Sequence, residues 1–139
     1  MKTGGMNMEL KPLTKAQINC GRVLLECIAR GQYTIDYSDI SKLTGVPLRA
    51  PGHDVGAAIG ELSKHCHELG LPLISVMVVQ KATGICGEGF FYLCNELNVH
   101  PEYSKNMDAM FKACMNDVRE CARWGEFADH MKLKIEGLN

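Results

Sequence analysis

His65, Cys66 and His67 place three metal-competent side chains in a row, and seven cysteines are spread from Cys20 to Cys121. Consecutive side chains on a helix point in different directions, and no second ligand pair follows at zinc-site spacing, so the trio does not define a metal centre. The cysteines are odd in number, contain no Cys-x-x-Cys and sit among apolar residues at helical positions. That usage fits free thiols as small core residues in a reducing compartment better than a disulfide framework. Cys86, near a glycine-rich stretch, is open to partial exposure and oxidation, but no neighbouring cation is sure to lower its pKa, so an ordinary thiol is the plainer reading. Acid–base candidates (His65, His67, Glu68 and Glu88) share no spacing that commits them to one site, so no catalytic residue, metal or cofactor is expected. Gly84, Gly87 and Gly89 with Glu88 form a second candidate, a loop open enough for a ligand to approach the backbone. No Gly-Lys-Ser/Thr follows, so it is not a phosphate loop. The plainer reading makes it a hairpin turn after which Phe90 and Phe91 enter the core.

The elements that would carry these residues follow from periodicity. The chain has 139 residues, 46% hydrophobic and 22% charged, and a net charge of −1. That suits one globular domain and lacks the basic excess usual for a dedicated nucleic-acid binder. The longest apolar run, Leu71–Val79, is too short to span a bilayer, and Met1–Met8 has no signal-peptide core. A soluble, cytoplasmic protein is the expectation. Thr14 can cap a first helix through Arg30, with Ile18, Val23, Leu24, Leu25, Cys27 and Ile28 on its apolar face. Tyr33–Ile35 is β-prone. Asp36 or Ser38 can cap a short second helix ending at Gly45, and a third helix runs from about His53 to Leu69. Leu73–Gln80 and Ile85–Tyr92 read as a β-hairpin, and Pro101 opens one long helix to about Lys134. Helix, helix, helix and hairpin is the order of a winged helix-turn-helix. The expected class is therefore α+β: residues 1–12 flexible, 13–100 a winged-helix core, and 101–139 a C-terminal helix that packs on the core or on a second copy in a homodimer.

Within this frame, Ile35-Asp36-Tyr37-Ser38-Asp39-Ile40-Ser41, Gly45-Val46-Pro47, His53-Asp54-Val55-Gly56, Leu71-Pro72, Val78-Val79 and Thr83-Gly84 resemble, in order, the motifs of one family. It is the C-terminal DNA-binding domain of the O6-alkylguanine-DNA alkyltransferases and alkyltransferase-like proteins. The family's Pro-Cys-His-Arg nucleophile motif is replaced by Ile74-Ser75-Val76-Met77, and its helix arginine, which fills the gap left by a flipped base, by His53. The resemblance thus implies DNA binding without alkyl transfer. The corresponding DNA face comprises Arg49, His53, Ala57, Lys64 and Lys81, with Glu61 opposing phosphate. Near-neutral charge supports the alternative of a small protein-interaction module, such as a phage or mobile-element factor acting on a host nucleic-acid enzyme. An enzyme of unknown class ranks third.

Overall fold

The computed structural model describes residues 10–138. Their regular structure comprises six α-helices and two two-residue strands: α1 (Lys15–Ala29), β1 (Ile35–Asp36), α2 (Tyr37–Thr44), α3 (Val55–Glu68), β2 (Val78–Val79), α4 (Glu88–Glu96), α5 (Met107–Glu120) and α6 (Trp124–His130). Short 3-10 turns occupy Ile74–Met77 and Pro101–Tyr103.

The first three helices start where side-chain oxygens can accept otherwise orphaned amides. Thr14 accepts from Gln17 N at 3.1 Å while the Gln17 side chain accepts from Thr14 N at 2.9 Å, a reciprocal capping box. Asp36 caps α2 through Asp39 N at 2.9 Å, and Asp54 caps α3 through Ala57 N at 2.9 Å. Gly45 ends α2 at φ 80°, a conformation that costs glycine least. Helix α1 packs on α3 and α2. Leu24, Leu25, Ile40, Val55, Leu62, Ile74, Met77, Val78, Met110, Trp124 and Phe127 are fully buried. They belong to one continuous core from α1 to α6.

The winged-helix expectation is overturned after α3. Instead of a hairpin, Ile74–Met77 coils into a 3-10 turn, and β2 pairs in parallel with β1, Ile35 opposite Val78 and Asp36 opposite Val79. The run from Leu73 to Val79 is buried throughout, so its apolar residues need no alternating strand to hide them. The turn after β2 closes through Gly84 N to Gln80 O and Gln80 N to Ile85 O, at 2.8 and 2.9 Å. Of the expected strand Ile85–Tyr92, the part from Glu88 onward is the start of α4. Its buried residues Phe90, Phe91, Leu93 and Cys94 lie one, three and four apart, the helical interval, with Tyr92 on the outside. Phe90 and Phe91 do enter the core.

The single C-terminal helix is also corrected. It breaks at Cys121–Arg123 into α5 and α6. Trp124 Nε1 donates back to Val118 O at 3.2 Å, burying the indole at the corner. The Arg123 guanidinium reaches Leu69 O (3.2 Å) and Gly70 O (3.3 Å) just beyond α3, and holds Glu126 at 2.8 and 2.9 Å. The break thereby anchors α6 to the end of α3. Among the described residues, no helix is long and apolar enough to cross a membrane.

Candidate nucleic-acid interface

Helix α3 divides into two faces. Val55, Ala58, Ile59, Leu62, Ser63, His65 and Cys66 are buried, while Gly56, Ala57, Gly60, Glu61 and Lys64 are at least partly exposed. The exposed stripe is low because three of its five residues are glycine or alanine. A Cβ built at Gly60 meets nothing within 4 Å, so that position is open rather than crowded by the fold.

Two clefts flank the stripe, and Gly56, Gly60 and Lys64 line both. On one side the wall is the N-terminal segment Leu10–Pro12 with Thr14 and Gln17, enclosing about 640 Å³ with Ala57 and Glu61. On the other, α4 closes a cleft of about 420 Å³ through Gly89, Phe90, Tyr92, Leu93 and Glu96, with Tyr37, Ile59 and Ser75 opposite. Ser75 marks this second cleft chemically. Its N–H donates to Ser63 Oγ at 2.9 Å, and Ser63 Oγ donates to Ser75 Oγ at 2.6 Å. In that arrangement Ser75 keeps its own hydroxyl proton as a donor for a cleft ligand. No imidazole, amine or carboxylate among the described residues is hydrogen-bonded to Ser75. The hydroxyl can therefore hold a ligand, but has no base positioned to make it a nucleophile. Burial holds the Tyr37 phenol above its ordinary range, so it stays protonated at neutral pH.

The residues anticipated from sequence distribute around this surface. Ala57 lines the N-terminal cleft, Lys64 both clefts, and Gly89 the α4 cleft. His53 and Arg49 are exposed on the loop before α3, and His53 borders a smaller hollow with Asp54 and Gln17. Lys64 forms an ion pair with Glu61 at 3.4 Å, which turns the anticipated repulsive carboxylate into the partner of the neighbouring cation. Lys81 sits on the turn after β2 rather than on a wing, its Nζ 4.0 Å from Asp36. Hydrogen bonds from Ser38 Oγ and Asp39 N, aided by Lys81, hold the Asp36 carboxyl below its ordinary range. Gly87 caps α4 and Glu88 occupies its first turn. Gly84 belongs to the separate turn at φ 74°. The four residues of the anticipated ligand loop thus do not converge on one concave site. All seven cysteines are free, and Cys86 is buried in the core rather than partly exposed, its thiol pushed up to about 12 by desolvation, which fits the plainer reading of an ordinary thiol.

Tyr92, Leu93 and Glu96 were not singled out by sequence reasoning, because a strand ending at Tyr92 puts them outside any site. The contact of buried His65 with exposed His130 spans 65 residues and leaves no local signal. Comparison of the chain with protein-family models, curated proteins and solved structures gave no match.

Proposed function

We propose that this protein binds duplex DNA without performing chemistry on it, laying the exposed stripe of α3 into a groove and offering the α4 cleft to a nucleotide at that surface. The observation that carries the reading is the low stripe of Gly56, Ala57 and Gly60 on the N-terminal half of α3, flanked by two clefts. Small residues there permit close approach of a ligand to the helix backbone. Arg49 and His53 precede it, and Lys42 on α2 is exposed beside the turn. The cleft pairs aromatic walls with a buried hydroxyl donor, a combination suited to an unstacked base. The resemblance of the Ile35–Gly84 motifs to alkyltransferase-like DNA-binding domains points the same way, and Ser75, with no base hydrogen-bonded to it, is not expected to transfer an alkyl group.

Few cations are available, so the electrostatic part of binding is small. About two or three phosphate contacts correspond to a log–log salt slope of about −2 to −3 on duplex DNA. Fluorescence anisotropy with duplex and single-stranded DNA at two salt concentrations measures this directly. Arg49→Ala is expected to lower the slope by about one. Gly60→Leu, which enters open space, is expected to abolish binding while the fold persists. No duplex binding at low salt, or full binding by Gly60→Leu, overturns the reading. Exposed Leu43 (65%) and Leu48 (48%) on either side of Gly45 support a second reading, docking on a protein through the α2–α3 turn. On that reading Leu43→Ser, rather than Gly60→Leu, destroys function.

A further inference from the structure

Cys94 and Cys114 face each other where α4 meets α5. Their sulfurs are 3.9 Å apart, in hydrogen-bonding contact, and the two residues are 0% and 2% exposed. Helix α4 packs chiefly on α3, whereas α5 packs on the Ile74–Met77 and Pro101–Tyr103 turns. The thiol pair thus joins two helices seated mainly on different elements, with no covalent bond between them. The two thiols differ in access. Cys114 lines a surface cleft of about 570 Å³ between α5 and the chain that follows α3, together with Leu71, Leu73, Val99 and Asp117. Cys94 has no part in that lining and is wholly buried. The same cleft holds Cys121, the one cysteine of the seven that is not buried.

A thiol hydrogen is a weak donor and a thiol sulfur a weak acceptor, so either sulfur can hold the proton between them. The hydrogen bond with Cys94, and then burial, hold the Cys114 thiol above its ordinary range. The pair therefore rests as thiols at neutral pH and reacts slowly, because the thiolate is the nucleophile. Cys86 is also buried, and Cys114 lies near enough to raise its thiol further. Cys86 is thus the competing partner for Cys114.

We propose that Cys114 and Cys94 are a peroxide-oxidised pair: the sulfur at the cleft reacts first, and the buried sulfur closes a disulfide that staples α4 to α5. The oxidant is hydrogen peroxide, small and uncharged enough to enter the cleft. The Cys114 sulfur attacks one peroxide oxygen. An S–O bond forms, the O–O bond breaks, and the departing hydroxide takes the thiol proton to become water. The Cys94 sulfur then attacks the Cys114 sulfur. The S–S bond forms, the S–O bond breaks, and that oxygen leaves with the Cys94 proton as a second water. Two thiols and one peroxide give one disulfide and two waters, and the sulfurs lose the two electrons that the peroxide gains. Because Cys94 is already in contact, the sulfenic acid meets it before a second peroxide arrives, which spares Cys114 from irreversible oxidation.

The test uses the reduced full-length chain carrying Cys121→Ser, which removes the accessible thiol while its hydroxyl can still accept the Arg123 N–H that the sulfur accepts. The chain is exposed to hydrogen peroxide, its remaining thiols are trapped with N-ethylmaleimide, and intact mass and non-reducing peptide maps are read. The expected result is a loss of two hydrogens, a peptide joining Cys94 to Cys114, and return of both thiols with dithiothreitol. Adding Cys94→Ala removes the second sulfur, so Cys114 is expected to accumulate as a sulfenic acid captured by dimedone, then to pass to forms the dithiol does not reverse. Adding Cys114→Ala instead should leave Cys94 reduced under the same exposure. A link from Cys114 to Cys86, or both thiols still free after prolonged exposure, overturns the proposal. So does oxidation of Cys94 in Cys114→Ala as fast as that of Cys114 in Cys94→Ala. Repeating the exposure in low urea separates the folded from the opened chain: a cross-linking rate that rises in step with the unfolded fraction also overturns it.

Discussion

The two clefts beside α3 share a floor and differ in their walls. The α4 wall is a helix whose Phe90, Phe91, Leu93 and Cys94 are buried in the core, so its position is set by the same packing that holds the fold together. The wall opposite has no regular structure over Leu10–Pro12 and is joined to α3 by the Lys11 carbonyl at His65. One wall can move only if the core opens; the other is an irregular segment whose Lys11 carbonyl accepts from His65 on α3. A pocket walled by a helix and a groove walled by an irregular segment thus share one helix surface, because α3 turns different residues to each while Gly56, Gly60 and Lys64 serve both.

Substitutions can test that contrast. Phe91→Ala removes a large buried side chain that seats α4 on the core and is expected to cost about 3–5 kcal/mol in denaturant unfolding. A cost below about 1 kcal/mol would mean that α4 is no more firmly held than the segment across from it. Ser63→Ala leaves Ser75 N–H without its acceptor and is expected to cost about 1–3 kcal/mol. It should also displace the Ser75 amide resonance, and an unchanged resonance would show that the hydroxyl pair does not position the cleft floor. Gly60→Ala touches the shared floor alone. It is expected to raise stability by up to about 1 kcal/mol through helix propensity, while weakening DNA affinity. Stabilisation with unchanged affinity would detach the stripe from function.

Much of the first half of the fold is legible in the sequence, because its signals are local. Thr14, Asp36 and Asp54 stand where caps are needed, and Val55, Ile59, Leu62 and Cys66 mark the inner face of α3, which puts Ala57 and Lys64 outside it. The second half hides its structure for physical reasons. Residues 74–79 are buried on every side, so β-branched composition does not separate a 3-10 turn and a two-residue strand from a full strand. Helix α4 is capped by Gly87 and contains Gly89, turn chemistry that masks a helical start until Leu93 and Cys94 complete the interval. Met107, Phe111, Cys114, Val118 and Cys121 keep a helical step up to the break, and Cys121-Ala122-Arg123 has neither glycine nor proline to announce it. The stop comes instead from Arg123 reaching carbonyls at 69 and 70. The candidate site divides in the same way: its α3 residues follow from one helix, whereas Tyr37, Ser75 and Leu93 meet only through tertiary packing.

The corner between α5 and α6 also provides an optical probe. Trp124 is the chain's one tryptophan; it is 1% exposed and bonded to Val118 O. Its indole sits in an apolar setting that exists only while both helices are seated on the core. Undocking that corner admits water to the ring, shifting its emission to longer wavelength and opening it to collisional quenchers. The protein thus reports the seating of its own C-terminal helices without a label, from a position remote in sequence from α3 yet tied to that helix's end through the adjoining Arg123.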